Sequence, residues 1–591
     1  MRLRLLPAVA VYLCAATVAP QAQQTGASVI AGVVLDATTA RGVPGAIVRA
    51  IGGETTQTRL TDDQGRFYFK FLPAGDFRIT ASKGGYVDGA FGKMRATGDG
   101  IPLTITAREI APFVRIDLFR PSVIAGYVAD ESGEPLIGAT VHAVRREYVD
   151  GVWRVSVGAQ DVTDDEGNFR LFDLVPGEYV VVVPSVPTSV PTDMTDTEVD
   201  EILTGIAEGT DVARNVVPGA TSVPSVIPSP EENAAYFTQY YPGVDRVRLA
   251  QSIVLGPGEH RSGLFFQMLS SPTVRVSGTV TSPRGPARNQ VLRLLSDDDD
   301  GTGLAMPTAI AISGPDGRFT FLRVPAGRYS LEVQGQELPS TPVPVLVPRA
   351  EDMQFTWSRT SLVVDTDPVT DIDVVVSDVP RLTGHVIFET ASKQSPDARD
   401  VRSTIVTLRS ANGTRPPLTT NADASGRFSI AGVVPGDYAV SVTAPAGWSP
   451  KTITAGGRDV LAADFEASID RDASPVIVTL TDRPTRVSGV VRNLRRFVAP
   501  GSAVIIQPVS RSRTTVPDPR QARMTRASAI GVFLFEGLPP GDYAVTAIDE
   551  ALVDGWHELR RLEALRAAGT RLTVKDGEHR VVDVLIASVA R

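Results

Sequence analysis

TDDQGRFYFKFLPAGDFRI, residues 61–79, is the stretch on which the reading of this chain turns. It opens on an acidic turn closed by Gly65, alternates polar and apolar residues through Phe67 and Phe69, breaks at Pro73-Ala74-Gly75 and resumes on Phe77. A period of two places Phe67 and Phe69 on one face of a strand. Asp62 is suited to accept backbone hydrogen bonds at the first turn position, and Gly65 to supply the positive φ that joins turn to strand. The Pro-Gly break interrupts pairing and re-aims the chain.

The phrase returns as TDDEGNFRLFDLVPGEYVV (163–181), GPDGRFTFLRVPAGRYSLEV (314–333), ADASGRFSIAGVVPGDYAVSV (422–442) and ASAIGVFLFEGLPPGDYAVTA (527–547). Its two glycines are ten residues apart each time: Gly65/Gly75, Gly167/Gly177, Gly317/Gly327, Gly426/Gly436 and Gly531/Gly541. The aromatic pairs become Phe169/Leu171, Phe319/Phe321, Phe428/Ile430 and Phe533/Phe535, and Phe77 is answered by Tyr179, Tyr329, Tyr438 and Tyr543. All of these are predicted to be core, the tyrosines with their hydroxyls reaching backbone. Upstream of each phrase runs a strand marked by Gly32, Gly126, Gly278, Gly384 or Gly489; downstream come two short alternating runs around a polar turn, as in QSIVLGPGEHRSGLFFQML and TRLTVKDGEHRVVDVLIAS.

Length alone, at 591 residues, argues for several domains. Short strands with frequent turn signals predict an all-β chain, a tandem array of five antiparallel β-sandwiches. The units run 28–120, 121–271, 272–379, 380–483 and 484–591. Linkers of a few residues, as at Phe119 to Ser122, predict an elongated, semi-rigid rod.

The order G-x-V, then a strand such as Pro44-Gly45-Ala46-Ile47-Val48 or Gly138-Ala139-Thr140-Val141, then T-D-x-x-G-x-F, then P-x-G-x-Y resembles the carboxypeptidase regulatory-like domain. The resemblance is close in the first two units and good in the third. The fourth and fifth keep the second half of the pattern, but Ala529 and Ile530 replace the acidic turn of the fifth. It implies a transthyretin-like or prealbumin-like sandwich, related to carbohydrate-binding-like folds, that is accessory to catalytic domains rather than catalytic itself.

MRLRLLPAVAVYLCAATVAPQAQ places Arg2 and Arg4 before an apolar run and then small and polar residues, the layout of a secretory signal peptide over residues 1–23. The single cysteine, Cys14, lies inside that run behind Leu13, which does not fit a lipoprotein cleavage site. Cleavage would leave no cysteine, so the exported chain is expected to be held by its cores rather than by disulfides. No later run is long and apolar enough for a membrane-spanning helix. Removing Arg2 and Arg4 takes the formal charge from −9 to about −11, which argues against nucleic acid as a partner.

Residues 186–235 interrupt the second unit. Thr195 and Glu198 fit a capping box, and Val199, Ile202, Leu203 and Ile206 fall at helical spacing, so one short helix is predicted there. A second is predicted in GWHELRRLEALRAAG, with Leu559, Leu562 and Leu565 packed on the last sandwich.

His142, His260, His385, His557 and His579 make no metal-binding spacing, and no G-x-S-x-G elbow or phosphate loop occurs. The acids recur as turn formers. Asp297–Asp300 lacks the spaced ligands of a calcium loop and reads as solvated. No catalytic residue, metal or cofactor is expected; the rival reading is a hydrolase with an unrecognised carboxylate pair.

Aromatic residues in the connections leaving the Pro-Gly-Tyr strand remain: Tyr86 and Phe91, then Tyr236, Phe237, Tyr240 and Tyr241, then Trp357, Trp448 and Trp556. Of these, Tyr240, Tyr241, Trp357, Trp448 and Trp556 are the candidates for stacking on a sugar ring, against the plainer reading that each plugs its own sandwich or a joint. Trp153 reads as a cross-strand partner. The expectation is a non-catalytic, extracytoplasmic (periplasmic, cell-surface or secreted) binding or structural protein of the envelope. Carbohydrate or an envelope protein is its expected partner. An accessory subunit docking on an exported peptidase, glycan machinery or an outer-membrane receptor is the alternative.

Overall fold

The computed structural model describes residues 28–587 apart from 54, 99, 107–112, 150–151, 187, 190–233, 298–303, 305, 338–353, 392–395, 412–414, 416, 462, 469–474, 510–521 and 554. The proposed signal peptide and the helix expected near Thr195 lie outside the described residues.

The protein is all-β, and its sheets repeat one plan along the chain. In the first repeat, Ser28–Asp36 is the centre of a three-stranded sheet, with Arg66–Leu72 antiparallel on one side and Val114–Leu118 parallel on the other. The facing sheet runs Thr55–Leu60, Ile47–Gly52, Gly75–Ser82, with Gly89–Ala90 and Leu103–Ile105 sharing the far edge of Gly75–Ser82. The same plan recurs around Ser122–Ala129, Ser270–Ser282, Leu382–Glu389 and Arg486–Arg492. Each of these central strands pairs antiparallel with the strand carrying the repeated aromatics and parallel with the last strand of its repeat. The sandwiches are antiparallel as expected, with this parallel closing pair as a feature not foreseen from the sequence. The chain crosses from one sheet to the other before its last strand, which then lies alongside the first and points the same way.

That parallel pair explains the glycine of the upstream strand. A Cβ on Gly32 would collide with the Val114 carbonyl of the closing strand and lie 2.6 Å from the tip of the Phe67 ring; Gly384 stands in the same way against Val476 and Phe428. The aromatic ring lies over the bare backbone of one strand while a second strand closes in beside it. Only glycine leaves room for both.

The repeated residues occupy separate cores. Phe67, Phe69 and Phe77 share one cluster; Phe169, Leu171 and Tyr179 a second; Phe319, Phe321 and Tyr329 a third; Phe428, Ile430 and Tyr438 a fourth; Phe533, Phe535 and Tyr543 another. Burying each such side chain stabilises its unit by about 2 kcal/mol. The division into five units is retained as a proposal. Its second and third units are interleaved, because Thr188–Ser189 joins the sheet of the third through Ala309–Ile312 and Ala234–Tyr236 pairs with Ser270–Ser282.

Two helices are described. Ala398–Ser403 starts on Asp397, whose carboxylate accepts the Arg399 and Asp400 N–H groups in a capping box. Leu559–Ala568 buries Leu562 and Leu565 against Ala503, Ile505 and Ile548, on the outer face of the last sheet. Leu559, expected on that buried face, is 48% exposed. It sits at the first helical position, one turn too early to reach the sheet.

Candidate functional site

The repeated turn residues are engaged in folding. Asp62 accepts the Gln64 and Arg66 N–H groups, Asp164 those of Glu166 and Asn168, and Asp423 those of Ser425 and Arg427. The carboxyls of Asp164 and Asp423 are held below the usual range, that of Asp164 chiefly by the Asn168 N–H and that of Asp423 chiefly by the Ser425 hydroxyl. The four tyrosines donate to the carbonyl four residues earlier: Tyr179 to Val175 (2.7 Å), Tyr329 to Pro325 (2.9 Å), Tyr438 to Val434 (3.0 Å) and Tyr543 to Pro539 (2.6 Å). Each ties down the Pro-Gly break that precedes its strand. Among the described residues, no group of three or more His, Cys, Asp or Glu is placed to hold a metal ion.

The candidate aromatics are not gathered at one place. Tyr240 is buried where the second and third units meet, donating to the Leu304 carbonyl and accepting the Met306 N–H. Tyr241 packs partly buried on the second core, edge-on to Phe266. Trp448 packs partly buried on the fourth core, edge-on to Phe388 with centroids 4.8 Å apart. Trp556 is 9% exposed beneath the C-terminal helix. Trp357 is half-buried in Gln354–Val364, and its indole N–H has no partner. Of the others, Tyr86 and Phe91 lie against the first core, and the Tyr236 hydroxyl donates to Glu131 at 2.6 Å. Trp153 lies opposite Tyr148 across a strand pair.

What the structure does gather lies at the joints. At the end of the first unit, the Asp36 carboxylate accepts from the Thr38 and Thr39 N–H groups, the Tyr86 hydroxyl and the Arg120 guanidinium, and the Arg120 carbonyl in turn accepts the Gly258 N–H of the second unit at 3.0 Å. Burial works to raise its pKa, but those four donors together hold the carboxyl far below the usual range. The second and third units share a core in which Val144, Val155, Val182 and Tyr240 meet Val291, Met306, Ile310 and Ile312. Arg415 of the fourth unit reaches Glu332 of the third at 3.6 Å. Lys451 of the fourth bridges to Asp576 of the fifth and to Glu389 of its own unit, both at 2.9 Å.

The fifth joint was not legible in the sequence. Glu550, 4% exposed, lies between Arg526 of its own unit (2.8 Å) and Arg95 of the first (3.1 Å), and Ala529 packs against the first core. The first and last sandwiches touch, so the contacts form a closed cycle and the expected elongated rod is overturned. Short linkers limit how far adjacent units can separate. The packing at each joint sets the angle between them, and four such angles bring the ends together. Residues 455 apart carry no pairing signal that one sequence can show.

The carboxypeptidase regulatory-like domain family matches residues 29–108 and 123–201. No curated protein matches the sequence. Among solved structures, the chain is similar to the TIE protein of Bacillus anthracis, at 10% identity over 74% of this chain and 68% of that one, with a TM-score of 0.14. It is also similar to GBS52, the minor pilin of Streptococcus agalactiae, at 11% identity over 42% of this chain and 97% of that one, with a TM-score of 0.22. The shaft pilin SpaA of Lactobacillus rhamnosus GG is similar at 13% identity over 36% of this chain and 99% of that one, with a TM-score of 0.15.

Proposed function

Starting from a chain that carries two carboxypeptidase regulatory-like domains, we propose that the protein is an exported, non-catalytic scaffold of the cell envelope. Its sandwiches pack into a closed platform that acts by binding other molecules. The observation that carries this reading is what the repeated residues do: the aspartates cap turns, the aromatics fill separate cores and the tyrosines lock the breaks. A catalytic site needs polar groups freed from such duties and converging on one cleft. Export rests on the arrangement of residues 1–23.

Carbohydrate is the finer proposal for the ligand. It draws on Trp357 and Trp448, whose rings are only partly covered, while Tyr240 and Trp556 are buried. The mature chain on a glycan array tests it: a hit lost in Trp448→Ala or Trp357→Ala supports a sugar ligand. A blank array moves the function to a protein partner, an exported peptidase, glycan machinery or an outer-membrane receptor. Turnover of any envelope polymer that disappears with a single Asp or Glu substitution would remove the non-catalytic reading altogether.

A further inference from the structure

Cross-strand register sets Arg293, Glu332 and Arg359 side by side on the outward face of the third unit's larger sheet. Two residues along that face Gln334 lies opposite Trp357, and two further along comes Phe355. The fourth unit covers the same face. Phe355 meets Gly432, where a Cβ would lie 3.4 Å from its ring, and Arg415 reaches over to Glu332. Trp357 lies between these two contacts along the strand, its ring half-buried.

Among the described residues, donors outnumber acceptors here. Three guanidinium groups surround one carboxylate, and Arg359 and Arg415 stand 3.7 Å and 3.6 Å from it, beyond hydrogen-bonding distance. Arg359 finds one acceptor in the Ser330 hydroxyl at 3.3 Å. The nearby Asp297 is engaged by Ser330 and faces Arg328 at 4.0 Å, so among the described residues the excess of two positive charges stays in place; Asp298, Asp299 and Asp300 lie outside the described residues. The Arg293 pKa is drawn down to about 10, first by burial and then by Arg415, with Glu332 acting in the opposite direction and no hydrogen bond contributing. The buried Trp357 N–H adds a further donor without an acceptor. Withdrawing the Trp357 N–H from water without an acceptor is unfavourable, while Arg359 and Arg415 remain 55% and 25% exposed and so open to a ligand.

We propose that the contact between the third and fourth units binds an oxyanion, a carboxylate or phosphate group, between Arg293, Arg359 and Arg415, with the Trp357 indole N–H as an additional donor. Guanidinium forks match the paired oxygens of either group. Glu332 holds the three cations near one another and competes with the ligand for them. The inference stands apart from the proposed scaffold function, since a structural protein and an enzyme could equally carry such a site.

Calorimetric titration of the full mature chain with phosphate, acetate, glucuronate and glucose, at ionic strength held constant with sodium chloride, tests it. Saturable binding of phosphate or of the carboxylates, without glucose, is expected, and which anion binds more tightly identifies the source of the group. Arg293→Met and Arg415→Gln should each weaken binding about tenfold, while Glu332→Gln should tighten it several-fold by removing the competitor. Thermal melts establish that each variant is folded, and Arg415→Gln, which lies outside the third core, keeps the test open if Arg293→Met is not. Absence of saturable heat, or Glu332→Gln weakening binding as the arginine variants do, would overturn the site.

Discussion

At the scale of single residues, the tyrosine after each Pro-Gly break shows how one hydroxyl serves a fold. Tyr329→Phe keeps the buried ring but strands the Pro325 carbonyl, and should destabilise by about 1 kcal/mol in urea unfolding. The first unit has Phe77 at this place, so Phe77→Tyr offers the Pro73 carbonyl a partner and should be neutral or stabilising. His142 presents the opposite case. It is 1% exposed, Nδ1 has no partner, and burial pushes its pKa down from 6.5 to about 4. The folded form therefore holds fewer protons than the unfolded chain between those values. Stability should be fully present above pH 6.5 and fall as the pH drops toward 4, by about 3 kcal/mol in total. Denaturant melts of His142→Gln at pH 4.5 and 7.5 should show a shallower dependence than the parent.

At the scale of elements, the strand bearing Gly32, Gly126, Gly278, Gly384 or Gly489 is the most constrained. Gly384→Ala must push either the Phe428 ring or the Val476 strand aside and should cost about 1–3 kcal/mol, read as a lower thermal midpoint. The same change at Gly84, where nothing lies within 4 Å, should pass almost unnoticed. This contrast marks what was legible beforehand. The turn aspartates, paired aromatics and corner tyrosines announced themselves because their causes are local: a period of two, a turn's geometry, a proline's fixed φ. The parallel closing strand did not, since pairing direction between strands at opposite ends of a unit leaves no mark on either. Helix Ala398–Ser403 was likewise missed: six residues with no buried side chain carry no hydrophobic period, and only the Asp397/Asp400 spacing hinted at it. The candidate aromatics were visible as residues, but whether a ring fills a joint or faces solvent depends on what the next unit brings against it.

At the scale of the whole molecule, closure depends on Glu550 and the two arginines it holds. Glu550→Arg replaces an attractive cluster with three buried cations. Breaking a buried pair in this way costs about 3–5 kcal/mol, enough to release the first unit from the fifth. Small-angle scattering should then report a larger radius of gyration and a longer maximum dimension while far-ultraviolet circular dichroism keeps its β signature. An unchanged scattering profile would mean that the packing of Ala529 against the first core suffices on its own.

A cycle completed by non-covalent contacts can also be completed by someone else's end. Within one chain the two faces meet at an effective concentration in the millimolar range, so the monomer should dominate in dilute solution. When the local density of chains approaches that figure, as it can on a crowded surface, the first sandwich of one copy can pair with the fifth of its neighbour at little energetic difference. The same Arg95–Glu550 contact that finishes a solitary particle would then stitch copies into reciprocal dimers or open chains, with no new interface required.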